Sequence, residues 1–233
     1  MNFESKLIPG TLIKRYKRFF VDVKVKNKIV TAHCPNTGSM LGLLSPGNKV
    51  WLTQSKNPKR KLKFTLQIIE VDGNKVGINT HFTNKIFYES LLEKKIKTLN
   101  DYQKIEPEKK FNKNTRFDFM LTCGKKKTFI EVKNVTLSRN KGIAEFPDAV
   151  TSRGLKHIKE LLIAKKKGFK VFLIFVVQRE DCKVFQLAKD IDIKYSNLLT
   201  YALKSNLKIA CYDCKFFSKG IKLGNNIKLK LND

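Results

Sequence analysis

The sequence predicts an α+β chain of two parts, an OB-like β-barrel over residues 1–80 and an α/β domain over residues 81–233. Three observations carry this. Up to residue 80 the apolar residues recur in short runs with a period near two, cut by Gly, Pro and Asn turns; this is the pattern of a small antiparallel barrel. From Phe82 onward, helical periods alternate with strand-like runs, the order that builds a sheet covered by helices. Residues 171–177 read VFLIFVV without a polar break, as a strand covered on both faces does.

Within the first part, residues 12–25 alternate through Phe20-Val-Asp-Val-Lys-Val25, Asn27 marks a turn, and residues 28–33 return. A loop, Cys34-Pro-Asn-Thr-Gly-Ser39, leads to residues 40–44, and Ser45-Pro-Gly-Asn48 turns the chain again. Residues 49–53 and 61–71 read as strands. Asp72-Gly-Asn74 is a tight hairpin signal, with a last strand over residues 75–80. Tyr16, Phe19, Phe20 and Trp51 are of the type that stacks on nucleic-acid bases, although most of them are expected to fill the barrel.

In the second part, residues 82–97 carry a helical period through Phe82, Ile86, Leu91, Leu92 and Ile96. A strand follows, and then two β-like runs joined at Cys123-Gly-Lys-Lys-Lys127 make a hairpin. A second helix spans residues 151–167, apolar at Leu155, Ile158, Leu161 and Leu162, with capping candidates in Pro147-Asp-Ala-Val-Thr-Ser152 and Gly168 at its end. After the buried strand come a third helix over residues 193–204 and a strand over residues 208–212.

Charge narrows the partner. The chain has 233 residues, with 48 Lys and Arg against 20 Asp and Glu, for a net charge of +28. A surface so basic implies a polyanion, since cationic side chains release counterions from phosphates. Nucleic acid is favoured over membrane, because no polybasic amphipathic helix with a bulky apolar face is evident. The N-terminal MNFESKLIPG lacks an apolar signal region and no run approaches membrane-spanning length, so a cytoplasmic protein is expected. The five cysteines form an odd, scattered set and read as reduced thiols. Cys211 and Cys214 make a lone CxxC without two further zinc ligands nearby.

The chemistry concentrates in the hairpin. Glu131 and Lys133 lie two apart on one strand and therefore on one side; Asp118, on the partner run, can reach that side too. Two carboxylates suit a hard cation that keeps several waters, such as Mg²⁺ or Mn²⁺, and such a cation polarises a phosphoryl oxygen. An ammonium beside them can position a water or offset charge on a phosphate. Asp118, Glu131 and Lys133 thus match the active-site pattern of the PD-(D/E)XK nucleases, with Asp118 and Glu131 as metal ligands. Asn36, Thr37 and Ser39, in the loop after His33, can hydrogen-bond phosphate oxygens. Arg116, Arg153 and Lys156 can hold a backbone near the metal. His157, Glu89, Glu145 and Asp148 are near enough in sequence to be considered; Glu89 is expected on a solvated helix face and Asp148 as a helix cap.

Several stretches resemble the bacterial sugar fermentation stimulation protein (SfsA) family: His33-Cys-Pro-Asn-Thr-Gly-Ser-Met40, Arg116-Phe-Asp118, Glu131-Val-Lys133-Asn-Val-Thr-Leu137, Phe146-Pro-Asp-Ala-Val-Thr-Ser-Arg-Gly-Leu-Lys-His157 and Ile191-Asp-Ile-Lys-Tyr195. The resemblance covers about residues 12–214, and the PDAVTxRGxKH stretch is its most specific part. It implies an N-terminal OB-like domain, a C-terminal PD-(D/E)XK restriction-endonuclease-like domain, nonspecific DNA binding and a role in regulating sugar, notably maltose, metabolism. It places Asp118, Glu131 and Lys133 on the nuclease-type positions. The family has also been read as carrying a helix-turn-helix near its C-terminus. Here LLTYALKS (residues 198–205) is followed by the β-like LKIACY, without the second helix that such a motif needs.

The sequence therefore supports a DNA-binding protein with a divalent-metal-dependent nuclease site. The alternative is a non-catalytic DNA-binding regulator of sugar metabolism on a nuclease-like scaffold. RNA is a second candidate polymer, and a homodimer would let such an enzyme cut both strands.

Overall fold

The computed structural model describes residues 1–230; residues 231–233 of the expected second domain lie outside the described residues. The N-terminal OB domain is built from β1 (Ile8–Tyr16), β2 (Phe20–Val25), β3 (Lys28–His33), β4 (Lys49–Gln54) and β5 (Phe64–Val71). These close into a five-stranded barrel. β1 pairs with both β2 and β4, β4 with β5, and β5 returns in parallel to β3 at Ala32↔Phe64 and His33↔Thr65. Closure leaves no open edge between these strands. Leu12, Val21, Val23, Ala32, Val50, Leu52 and Leu66 point inward and are buried, as the period of two requires. The Asp72-Gly73 turn has φ of 50° and 75°, the geometry of a tight hairpin, and hangs β6 (Asn74–Gly77) on β5.

A mixed domain follows. Its central sheet runs in the order β15 (Gly220–Asn226), β14 (Lys208–Phe217), β12 (Lys170–Val177), β9 (Lys126–Val135), β8 (Thr115–Cys123) and β7 (Lys104–Asn112). β12 is parallel to both neighbours, and its apolar run is buried on both faces. A second sheet joins β10 (Leu137–Asn140), β11 (Ile143–Phe146), β13 (Val184–Leu187) and β16 (Lys228–Lys230). The helices α2 (Ser152–Lys166) and α3 (Ile193–Lys204) pack over one face of the central sheet on Phe117, Phe175 and Leu173. The helix α1 (Phe82–Leu92) lies on the other face against Phe119, Ile130 and Ile174.

Several boundaries differ from the expected ones for local reasons. The first helix ends at Leu92 rather than 97. Lys94 takes a left-handed φ of 51°, and the amides of Lys94 and Lys95 close onto Leu91 O and Ser90 O at 2.8 and 3.0 Å, a terminating turn that needs no glycine when the bonds hold it. The strand expected from residue 61 starts at Phe64, because residues 55–63 form a loop. The strand expected over residues 75–80 stops at Gly77. Residues 41–43 form a turn. The strand over residues 208–212 continues to Phe217, and β10, β11, β13, β15 and β16 were not anticipated. α3 is followed directly by β14, so no helix-turn-helix forms there. Cys211 and Cys214 are buried free thiols within β14.

The two domains are joined at Gly77 and Gln178. The Gly77 amide donates to Gln178 O at 2.8 Å. The buried Gln178 amide group donates to Asn134 Oδ1 at 2.7 Å and Thr83 Oγ1 at 3.1 Å. A Cβ on Gly77 would stand 2.4 Å from Gln178 Oε1 and 3.2 Å from its Cβ. Gly77→Ala is therefore expected to destabilise the protein by about 1–3 kcal/mol through overpacking, measured as a lower midpoint in urea with an unchanged slope.

Candidate metal-dependent nuclease site

The β8–β9 hairpin places the carboxylates. Backbone pairing runs from Cys123↔Lys126 to Phe119↔Ile130 and stops there, so Asp118 lies at the level of Glu131 where the strands part. Asp118 Oδ2 accepts from the Val132 amide at 2.7 Å and Oδ1 from Asn84 Nδ2 at 2.8 Å. On the same strand, Lys133 Nζ donates to Glu131 Oε1 at 2.7 Å. The sequence expectation that Glu131 and Lys133 share a side holds.

α2 supplies the remaining group. Thr151 caps it, its hydroxyl oxygen accepting from the Gly154 amide at 3.0 Å; Asp148, the expected cap, instead takes the Ser39 hydroxyl on its backbone carbonyl at 3.1 Å. One and a half turns along, His157 Nδ1 meets Glu131 Oε1 in a short contact and lies 3.1 Å from Lys133 Nζ. The Arg153 Nε donates to His157 Nε2 at 3.5 Å. His157 is thus part of the cluster.

Electrostatics separate the two acids. Burial and the neighbouring Glu131 charge push the Asp118 carboxyl up to about 6. Burial acts on Glu131 in the same direction, but the His157 bond and the Lys133 ammonium outweigh it and hold Glu131 below its usual value. Glu131 Oε2 is buried and has no hydrogen-bond partner, which is rare for a carboxylate oxygen. Both Asp118 oxygens retain lone pairs beyond their single bonds. The donor set suits a hard divalent cation: two carboxylates, Asp118 facing the cleft and Glu131 with a free buried oxygen. Among the described residues no three Asp, Glu, His or Cys side chains are grouped so as to hold a metal ion, so a cation here would rest on the two carboxylates and water, and the set does not fit a structural zinc.

Asp118 and His157 face a cleft of about 610 Å³ that Lys110, Lys113, Arg116, Arg153 and Lys156 also line. Arg116 and Arg153 are exposed there, while Lys156 Nζ donates to Asn114 O at 2.8 Å. The loop after His33 borders a different, smaller hollow of about 170 Å³, with Asn36 and Thr37 opposite Asn134, Glu145 and Asp148. Asn36 is nearly buried and its side-chain oxygen accepts from the Gly38 amide at 2.8 Å; Thr37 remains exposed. Glu145 is held by Arg139 and Gln186, and Glu89 pairs with the Met1 ammonium, so neither reaches Asp118. Asn84 was missed; it is one of three polar residues, Thr83-Asn-Lys85, between Phe82 and Ile86, and nothing in the sequence sets it apart from a solvated position. Tyr195, whose buried hydroxyl lacks a partner, was also missed as a neighbour of Glu131.

A family model described as the sugar fermentation stimulation protein RE domain matches residues 81–220, and one described as the SfsA N-terminal OB domain matches residues 13–78. A sugar fermentation stimulation protein homolog of Pelagibacter ubique is 52% identical over 229 residues, covering 98% of this chain and 99% of that one. A homolog from Paramagnetospirillum magneticum is 42% identical over 235 residues, covering 100% and 99%. The structure of Pyrococcus furiosus SfsA in complex with Ca²⁺ superposes with a TM-score of 0.88 at 26% identity, covering 99% of this chain and 98% of that one.

Proposed function

Because the chain belongs to the sugar fermentation stimulation protein family, we propose that it is a DNA-binding, divalent-metal-dependent nuclease that hydrolyses phosphodiester bonds in the cleft above Asp118. The observation that carries this reading is Asp118 lining a basic cleft, with the buried Glu131 beside it and one Glu131 oxygen left without a partner. A protein that only binds DNA gains nothing from carboxylates set beside phosphates. The archaeal relative was solved with Ca²⁺, and the same oxygen donors suit Mg²⁺ or Mn²⁺ here. The five free thiols agree with a reducing, cytoplasmic setting. Among the described residues no helix is long and apolar enough to cross a membrane.

The residues divide the work. Asp118 and Glu131 hold the negative charge that localises the cation, which when bound neutralises a phosphoryl oxygen and makes a water more acidic. Asn84 and the Val132 amide fix the Asp118 carboxylate in orientation. Lys133 keeps Glu131 ionised and sets a positive charge where negative charge builds in the transition state. His157 and Lys133 both hold Glu131 Oε1, which leaves Oε2 as the free donor. Arg116 and Arg153 stand exposed on the walls to grip the phosphates on either side of the scissile one.

Supercoiled plasmid incubated with Mg²⁺ or Mn²⁺ should be nicked, and chelator should stop it. Lys133→Ala should slow nicking by about 10²- to 10³-fold while DNA stays bound. If wild type cuts neither DNA nor RNA yet binds DNA in a salt-sensitive way, the enzyme is excluded and a DNA-binding regulator on a nuclease scaffold remains.

A further inference from the structure

On the outside of the barrel, ring side chains stand in a line across three strands. Tyr16 pairs with Phe20 between β1 and β2, and Phe20 pairs with His33 between β2 and β3. Directly opposed residues share a face at a strand spacing of about 4.8 Å. Tyr16 and Phe20 are stacked at 5.5 Å and 15°. The Tyr16 hydroxyl donates to Asp22 Oδ1 at 3.3 Å, and Lys14 Nζ sits 5.6 Å from the Tyr16 ring centre. Phe19 is 47% exposed at the rim of this line, although most of these rings were expected inside the barrel.

The turn that presents Phe19 is strained. Lys17 and Arg18 have φ of 47° and 61°, where glycine or asparagine would sit at little cost. Arg15 holds the turn, its Nη2 donating to Arg18 O at 3.0 Å and to Asn36 O at 2.8 Å. Two cations beside an exposed ring, kept in a conformation that disfavours them, are better explained by a ligand than by stability. Cationic and aromatic groups together match a polyanion with flat faces. The line also points toward the catalytic domain. His33 leads directly into the loop 34–39, where the Ser39 hydroxyl bonds Asp148 O, three residues before the Thr151 cap of α2.

We propose that Tyr16, Phe20 and His33, with Phe19 at the rim, form a stacking platform for a single-stranded DNA segment, which continues past the loop 34–39 into the catalytic cleft. The direction of the strand rests on the nuclease reading; the stacking itself does not.

The test is binding of a fluorescein-labelled oligo-dT of about 20 nucleotides and of the matching duplex, by anisotropy, with the full chain in chelator so that nothing is cut. Phe19→Ala, which removes an exposed ring, should weaken oligo-dT binding by about 5- to 10-fold, and Tyr16→Ala with Phe19→Ala by about 10- to 100-fold. Phe19→Trp should keep wild-type affinity. The slope of affinity against salt should not change, since no charge is removed, and duplex affinity should stay within about 2-fold. Wild-type affinity in Phe19→Ala overturns the platform, as does an equal loss on the duplex. An oligo-rU bound about tenfold tighter than oligo-dT assigns the face to RNA and overturns the DNA proposal. Lost oligo-dT binding in the variants, together with a wild type that never cuts, refutes the nuclease and leaves the platform standing.

Discussion

Asp118→Asn should abolish metal-dependent nicking, by about a thousandfold or more, while making the metal-free protein more stable at pH 8. The two effects share one cause. The folded-state pKa of Asp118 lies near 6, above its ordinary value of 3.8, so the folded chain holds this proton more tightly than the unfolded chain does. The stability that goes with it is present below about pH 4 and is lost as the pH rises through 6. At pH 8 the ionised group then costs about 2–3 kcal/mol. Asparagine keeps an acceptor for the Val132 amide, offers an NH2 toward which Asn84 can turn its own carbonyl oxygen, and carries no charge, so the variant should melt about 4–12 °C higher than wild type at pH 8 and at nearly the same temperature at pH 4. Adding Mg²⁺ should raise the wild-type midpoint at pH 8 and leave the variant unmoved. A variant that melts lower at pH 8, or that still answers to Mg²⁺, would refute Asp118 as a ligand held under electrostatic stress.

Arg179→Ala should be the most destabilising single change outside the site, at about 3–5 kcal/mol. Arg179 is buried and grips Asp181 with two bonds, Nε to Oδ1 at 2.8 Å and Nη2 to Oδ2 at 2.6 Å. Its Nη1 donates to Thr136 O at 3.0 Å. Alanine leaves a poorly solvated carboxylate and a buried carbonyl unpaired together. The backbone at residue 179 also bridges Val76 of β6, a pairing that alanine keeps, so the loss comes from the side chain alone. Burial pushes the Asp181 carboxyl up, but Arg179 prevails and holds it below the ordinary value. The stability from this pair is therefore full above about pH 4 and is lost as the pH falls further. The double variant Arg179→Ala, Asp181→Ala should recover part of the loss in urea titrations, because it removes the stranded charge.

The hairpin with Asp118, Glu131 and Lys133 was legible in the sequence because its whole geometry is local: a period of two, a glycine turn and a spacing of two residues. The barrel was legible because each strand is bounded by turn residues, and β12 because it is apolar throughout. What the sequence hid depends on distant partners. Asn84 reaches Asp118 only when α1 packs against the central sheet. His157 lies 26 residues from Glu131 and meets it only once α2 docks. β10, β11, β13 and β16 are short and mostly polar on one side, so their periodicity is too brief to register, and the β11–β13 and β13–β16 pairings join residues about 40 or more apart. Phe19 and Tyr16 look like core residues in one dimension, but Phe19 falls in the turn between β1 and β2, and a register shift between Leu12 and Lys14 puts Tyr16 on the face opposite Leu12.

The place of β12 between β9 and β14 sets the order in which the protein acquires its properties during synthesis. The barrel is complete when β5 reaches β3, with fewer than half the residues made. The strand that carries Glu131 gains its parallel neighbour only after β12 has added itself beside it, some 40 residues after that carboxylate was made. Gln178 then locks Gly77 at the same moment. Under the proposed function, a nascent chain would therefore hold nucleic acid well before it could cut it, and cutting would become available in one step, when the last strand to touch Glu131 also fixes the barrel against the sheet.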